Sequence, residues 1–276
     1  MQNIINGIKN YYKLLPNYIY MVPDFIIIIP YRDRPIDKHI YLNYMKYILE
    51  DESNYEIYFL HQDNELPFNR GAMKNLGFIK IKEKYPNNYT HITIVFQDVD
   101  TIPYKKDLVS FTTSKGIVKH FYGFEFALGG MFCINAADFE SIMGFPNFWS
   151  WGFEDTLLNN RCVNNKIHID RSVFFKSGAK EFMQFSITNQ QHLNLKNLEK
   201  TSNNSGDTYN DIININNNNQ EDYSQPIKHR IYYLDFNTKQ KYNVNNEGLT
   251  DMSRKKFFFD KSNNIKVMAR KKLVFF

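Results

Sequence analysis

Cysteine is scarce: Cys133 and Cys162 are the only two among 276 residues. Each sits inside an apolar or helical pattern, so the pair reads as buried free thiols and argues against a disulfide framework. Long hydrophobic runs are also missing. The longest, Phe25 to Pro30, is far too short to cross a bilayer, and Met1 to Tyr20 mixes Asn, Lys and Tyr where a signal peptide needs an apolar centre. The expectation is a soluble, cytoplasmic protein without a membrane span. A concentrated basic stripe is absent from the core segments as well. The 34 basic residues interleave with 29 acidic ones to leave a net charge of +5, the main exception being the basic C-terminal end. No nucleic-acid partner is expected from that balance, which suits a small phosphate-bearing substrate equally well.

What is present is aromatic. With 43% hydrophobic residues, 24 Phe and 19 Tyr, the chain can bury a large core in one domain or one domain with an appendage. Heavy use of Asn, Lys, Ile, Tyr and Phe points to an A/T-rich genome such as that of a large DNA virus or a protist.

Met1 to Pro23 reads as one short helix and a lead-in. Phe25-Ile26-Ile27-Ile28-Ile29 is a β-branched run expected to be buried on both faces, as a first parallel strand is. Pro30-Tyr31-Arg32-Asp33-Arg34-Pro35 ends it, leaving two arginines at the strand's carboxyl end, where open α/β sheets bind ligands and guanidinium forks match phosphate oxygens. Asp37 to Leu49 has helical spacing with Asp37 as N-cap. Tyr55 to Leu60 is a second strand, Phe68 to Lys82 a second helix with Asn69-Arg70 near its start, and His91 to Phe96 a third strand. The alternation is that of a doubly wound α/β sheet. Further on, Val118 to Phe126 and Met131 to Asn135 read as strands around Gly129-Gly130, Ala136 to Met143 and Asp155 to Val163 as helices, and Ile167 to Phe174 as another strand. Thr201 to Tyr223, rich in Asn, Asp and Ser, is expected to be a mobile insertion. Lys228 to Phe236 and Lys255 to Phe276 are β-prone and expected to form a terminal hairpin whose lysines guard an edge.

Two acidic pairs stand out. Asp98-Val99-Asp100 follows the third strand and suits a divalent metal carrying phosphates. The only two tryptophans, Trp149 and Trp151, are separated by Ser150 and precede Glu154-Asp155, with Gly144, Pro146 and Gly152 shaping the loop. Aromatic faces beside acids suit a sugar, whose C–H face stacks and whose hydroxyls donate hydrogen bonds. Helix capping accounts for part of that acidity, but not for the tryptophans. The chemistry these residues favour is metal-dependent transfer of a sugar from a nucleotide.

Ile26 to Arg34 (IIIIPYRDR), Phe68 to Phe78 (FNRGAMKNLGF), Val95 to Pro103 (VFQDVDTIP), Gly129-Gly130, and Gly144 to Asp155 (GFPNFWSWGFED) resemble, in order and spacing, the motifs of the β-1,4-galactosyltransferase family, glycosyltransferase family 7. The resemblance covers about Phe25 to Lys200, with Glu247-Gly248-Leu249-Thr250 as a further echo. It implies a GT-A fold with a mixed, mainly parallel sheet over residues 1–200, followed by the 201–223 insertion and a β-rich extension at 224–276. It also implies a UDP-sugar donor, a manganese ion, transfer with inversion, and a glycan or glycoprotein acceptor. Residue by residue, Pro30, Tyr31, Arg32 and Arg34 match uridine and phosphate contacts, and Phe68 with Arg70 a further nucleotide-side motif. Gly129 and Gly130 match the family's glycine pair beside the donor. Asp98-Val99-Asp100 matches the motif whose second aspartate binds the metal, Trp151 the tryptophan that closes the donor site, and Glu154 and Asp155 the acceptor carboxylates, the second being the candidate base.

The departures from the family pattern carry information too. The family's Met-x-x-His metal motif has its counterpart at Asn189-Gln190-Gln191-His192, leaving His192 as a nitrogen ligand and replacing a thioether with an amide. Phe153 replaces a glycine and Thr156 a third acid. Ala127 stands where galactose-transferring members carry a bulky Tyr, so the donor sugar is expected to be a hexose or an N-acetylhexosamine. A non-catalytic carbohydrate-binding relative is the alternative reading.

Overall fold

The computed structural model describes residues 21–185, 192–194, 197, 201, 208–222, 229–239, 249–251, 255–259 and 265–269. The expected N-terminal helix before residue 21, the Asn189-Gln190-Gln191 triplet, the His192 side chain and the Glu247-Gly248 pair lie outside the described residues.

The central strand is β1 (Phe25–Tyr31), and every residue in it is buried. Its alternate side chains enter two separate apolar clusters, Ile26 and Ile28 on one face, Phe25, Ile27 and Ile29 on the other. A continuous run of Ile is what such a two-faced position demands. β1 pairs in parallel with β2 (Tyr55–Gln62) and with β3 (Thr93–Gln97). Helix α1 (Pro35–Ile48) covers the second face through Tyr41, Leu42, Met45 and Ile48. Helix α2 (Arg70–Lys84) covers the first, and Gly77 lets it approach closely, because a Cβ there would lie 2.7 Å from Ile28 Cδ1. Asn69 caps α2, its side chain accepting from the Ala72 amide at 2.9 Å. The expected N-cap of α1 is displaced: Arg34 occupies that position, Pro35 begins the helix, and Asp37 lies in the first turn, paired with Arg34.

Beyond β3 come β4 (Thr101–Pro103), β5 (Ile117–Gly123), β6 (Met131–Asn135), α3 (Ala136–Ser141), α4 (Glu154–Asn164), β7 (His168–Asp170), β8 (Phe175–Lys176) and β9 (Phe182–Gln184). The strand expected over Ile167 to Phe174 is shorter than the sequence pattern implies, because Ser172 and Val173 turn the chain after β7. The remaining strands are β10 (His192–Asn194), β11 (Ile212–Asp222), β12 (His229–Thr238), β13 (Leu249–Asp251), β14 (Lys255–Phe259) and β15 (Ile265–Ala269). The main sheet runs β11-β12-β2-β1-β3-β6-β5-β7, with β8 also on β5. Pairing is parallel from β12 to β3 and antiparallel where β6 joins β3. Because Gln97 is in register with Met131, β6 begins where β3 ends, which places Gly129-Gly130 at the same sheet edge as Asp98 and Asp100.

The C-terminal segments depart from expectation. Ile212–Asp222 is a strand rather than a structureless insertion; its polar side chains suit an edge position, and the antiparallel ladder with β12 satisfies its backbone. The segment Lys228 to Phe236 does not pair with the last residues. β12 lies between β11 and β2, and β14 pairs with β15 instead. Among the described residues no helix is long and apolar enough to cross a membrane.

If β12 belongs to the core, Phe236→Ala, which empties a fully buried site, should cost about 3–5 kcal/mol and lower the urea midpoint. An unchanged midpoint would show that β12 contributes little to the core.

Candidate active site

Arg70, the first residue of α2, reaches across the sheet edge to carboxyl groups from two other segments. Its Nη2 lies 2.7 Å from both oxygens of Asp98, and its Nη1 lies 2.8 Å from Glu154 Oε1 and 2.7 Å from Asp155 Oδ2. One turn further along α2, Lys74 donates to Asp155 Oδ1 at 2.9 Å. The i, i+4 spacing puts both cations on one helix face. The acids after β3 and after the tryptophan loop therefore share one site.

Local structure explains the placement. The turn before α2 is bonded internally: Gln62 accepts from the Asn69 amide at 2.8 Å and donates to Asn64 Oδ1 at 2.8 Å and to the Leu66 carbonyl at 3.1 Å. Asn75 fixes the start of the tryptophan loop, accepting from the Phe145 amide at 2.9 Å and donating to the Phe145 carbonyl at 2.8 Å. Glu154 and Asp155 open α4, where the helix dipole favours negative charge. Phe153 precedes them with φ +74°, a left-handed backbone that a glycine would adopt without Cβ strain. The glycine pair is sterically required. A Cβ on Gly129 would stand 2.6 Å from Asp155 Oδ2, and Gly130 has φ +69° with the Tyr122 carbonyl 2.4 Å from its would-be Cβ.

Side-chain exposure is 25% for Asp98, 14% for Asp155 and 4% for Glu154, which makes Glu154 the costliest to ionise. Burial, joined by repulsion from Asp155, raises the Glu154 carboxyl above its ordinary range despite Arg70 and Lys74. For Asp155 burial pushes upward too, but attraction and hydrogen bonds from Arg70 and Lys74 outweigh it and hold the carboxyl below the usual range. Fully buried His120 is pushed down to about 4, first by burial and then by Arg171, and is neutral. Its Nε2 lies 3.1 Å from the Tyr122 carbonyl and 3.2 Å from the Gly129 carbonyl, and its Nδ1 accepts from Arg171 at 3.1 Å.

The other residues named from sequence fall into distinct groups. Arg32 lies over the Phe68 ring at 5.3 Å, and its Nη1 donates to the Leu66 carbonyl at 2.7 Å. Arg34 bridges Asp37 and Asp100, 2.9 Å from Asp100 Oδ2. Pro30, Tyr31 and Val99 are buried, the last two in the apolar cluster beneath α1. Trp151 is half-buried, whereas Trp149 is a core residue, stacked on Phe236 at 5.5 Å and donating to Thr238 Oγ1 at 3.3 Å. Lys74 and His120 were not singled out from sequence. The four-residue step from Arg70 was a usable signal for Lys74; His120 is near Gly129 only through the β5 backbone and had none.

A divalent metal fits in part. The Asp100 carboxylate at the sheet edge is a hard oxygen donor of the right class, with Oδ2 on Arg34, whereas both oxygens of Asp98 are engaged by Arg70. Among the described residues no group of three His, Cys, Asp or Glu side chains is placed to hold a metal ion together. Asp100 accounts for one ligand, and a complete set needs donors beyond those residues.

Arg70→Met would leave three buried or half-buried carboxyls facing Lys74 alone. It should cost about 3–5 kcal/mol at neutral pH. In the wild type the lowered Asp155 group contributes stability above its unfolded pKa, and that contribution is lost as pH falls through its folded value. The variant lacks most of this contribution, so denaturant melts at pH 7 and at about pH 2 should show the deficit shrinking on acidification.

Comparison with known proteins gives the family and the fold. Residues 5–112 match the family model described as the N-terminal region of glycosyl transferase group 7, and residues 118–184 match that of the N-terminal domain of galactosyltransferase. Beta-1,4-galactosyltransferase 1 of Mus musculus is 34% identical over 153 residues, covering 52% of this chain and 37% of the relative. Xylosylprotein 4-beta-galactosyltransferase of Caenorhabditis elegans is 25% identical over 153 residues, covering 52% and 51%. The matches thus span about a third to a half of these curated relatives. The catalytic domain of Drosophila beta1,4-galactosyltransferase 7, solved with xylobiose, superposes with a TM-score of 0.60 at 20% identity, over 78% of this chain and 95% of that one. A mutant of the same protein in complex with manganese, UDP-Gal and xylobiose gives 0.58, also at 20% identity and with the same coverage. The expected GT-A-type architecture is present, and the chain belongs to glycosyltransferase family 7, the β-1,4-galactosyltransferase family.

Proposed function

We propose that the chain is a metal-dependent inverting glycosyltransferase that moves a hexose or N-acetylhexosamine from a UDP-sugar to a hydroxyl of a glycan or glycoprotein. The observation that carries this reading is Arg70, whose guanidinium joins the acid after β3 to the acids beside the tryptophan loop and so puts the proposed donor-side and acceptor-side residues in one cluster. Galactosyltransferase relatives, and the complex of the Drosophila protein with manganese, UDP-Gal and xylobiose, support the same assignment.

On the donor side, Arg32 and Phe68 offer a cationic and an aromatic surface for the nucleotide, with Arg34 beside Asp100. Asp100, together with His192, would hold the manganese ion, which when bound supplies positive charge to the diphosphate leaving group. Trp151 and Gly129-Gly130 would border the donor sugar. Ala127 leaves more room there than a tyrosine would, which favours donors that include N-acetylhexosamines. On the acceptor side, Asp155 takes the hydroxyl proton as the new bond forms. Both its oxygens already accept one hydrogen bond, and each keeps a lone pair for the acceptor. Glu154, whose ionised form burial disfavours, can grip a second acceptor hydroxyl.

Screening UDP-sugars for manganese-dependent UDP release in the presence of glycan acceptors tests this reading. Asp155→Asn should lower turnover about 100- to 10,000-fold while UDP-sugar still binds, and wild-type turnover in that variant would remove Asp155 as the base. Asp100→Ala should abolish metal-dependent UDP binding in calorimetry. Sugar binding without any UDP release across the panel would favour a carbohydrate-binding role instead.

A further inference from the structure

We propose that Lys74 is a positioning residue of the transfer reaction, a buried ammonium dedicated to holding the Asp155 carboxylate charged and in one orientation. This rests on the reading above in which Asp155 accepts the proton.

Lys74 is 1% exposed, and its ammonium touches one carboxylate oxygen, Asp155 Oδ1, and the face of Phe145 at 4.4 Å. A buried ion pair gives little net stability over an apolar side chain of similar size. The neighbouring α2 residues Ala72, Met73 and Leu76 are apolar core residues, so a methionine could fill this position. What lysine adds is a positive charge that Asp155 does not share. Arg70 cannot supply that alone, since its guanidinium is divided among Asp98, Glu154 and Asp155.

The groups around Asp155 come from each element packed on it. Arg70 and Lys74 face it from α2, Asp98 lies beyond Arg70 at the end of β3, and Glu154 precedes it on α4. Neutral His120 from β5 holds the Gly129 carbonyl, and Gly129 closes the side next to Oδ2. With Lys74 removed, adjacent Glu154 and Asp155 would share a single guanidinium. Asp155 would lose the one cation it does not share, and Oδ1 would lose the contact that fixes its rotamer.

The test uses the full chain as wild type, Lys74→Met and Lys74→Arg. It measures acceptor-dependent UDP release over roughly pH 4 to 9, UDP-sugar binding by calorimetry, and carboxyl carbon-13 titration with Asp155→Asn to assign the signal. In Lys74→Met, kcat should fall about 10- to 100-fold from mispositioning with donor affinity unchanged. The acid limb and the Asp155 titration should both move up by about one to three pH units. Lys74→Arg should restore the profile towards wild type. Active wild type with a Lys74→Met profile and titration that do not move would overturn the role of Lys74 while leaving the transferase reading intact. Wild type inactive on every UDP-sugar would instead overturn that reading, and with it a role for Lys74 in transfer. Should Lys74→Met not fold, Lys74→Gln keeps a donor without the charge and is expected to show the same upward shift. A wild-type Asp155 that titrates above Glu154 would overturn the proposal whichever variants fold.

Discussion

A guanidinium held between three carboxyl groups is the constraint on which the rest of the site depends. Arg70 is at once the first residue of a helix, the partner of the strand-end acid Asp98, and a clamp on the loop acids Glu154 and Asp155. No pair of these segments is adjacent in sequence, so the clamp works only if the sheet edge and two helix starts converge. The Asn69 cap and the Gln62 network fix where α2 begins, and the antiparallel insertion of β6 beside β3 brings Gly129 against Asp155. Low exposure then gives each ionic contact more weight than it would have in water.

The tryptophan loop divides into two parts with different physical roles. Its first half is riveted down: Asn75 bonds Phe145, Arg161 bonds the Gly144 carbonyl, and Trp149 lies flat on Phe236. The second half carries the half-buried Trp151 through positive φ values at Ser150, Gly152 and Phe153. A fixed base followed by a backbone in sparsely populated conformations is a suitable mount for a side chain that borders a substrate. It also separates the pair of tryptophans, one packed in the core and the other half-buried. The core tryptophan in turn ties the loop to β12, which makes that strand part of the loop's support.

The three-dimensional structure also sorts two carboxyls that the sequence presents as equals. Glu154 and Asp155 are neighbours of the same chemical type, yet burial favours a proton on the first while two cations keep the second ionised. Such divergence is what acid–base chemistry at one site requires.

Patterns that depend on neighbours along the chain were readable in advance. The Ile run of β1, the helix periodicities, the acids after β3 and the glycine pair all follow from local sterics and alternation, and their order carried the family resemblance. Contacts set by folding were not readable. The polar repeat of Ile212–Asp222 has the composition of a disordered segment, and only the edge beside β12 makes it a strand. Lys74 reads as one more surface lysine until the helix is docked, and Trp149 and Trp151 look alike until one is buried. Sequence by itself determined which acids follow β3 and the tryptophan loop and which basic residues stand at the sheet's edge. Tertiary structure decided which charges share a cleft, because charge state and contact depend on burial and on partners distant in the chain.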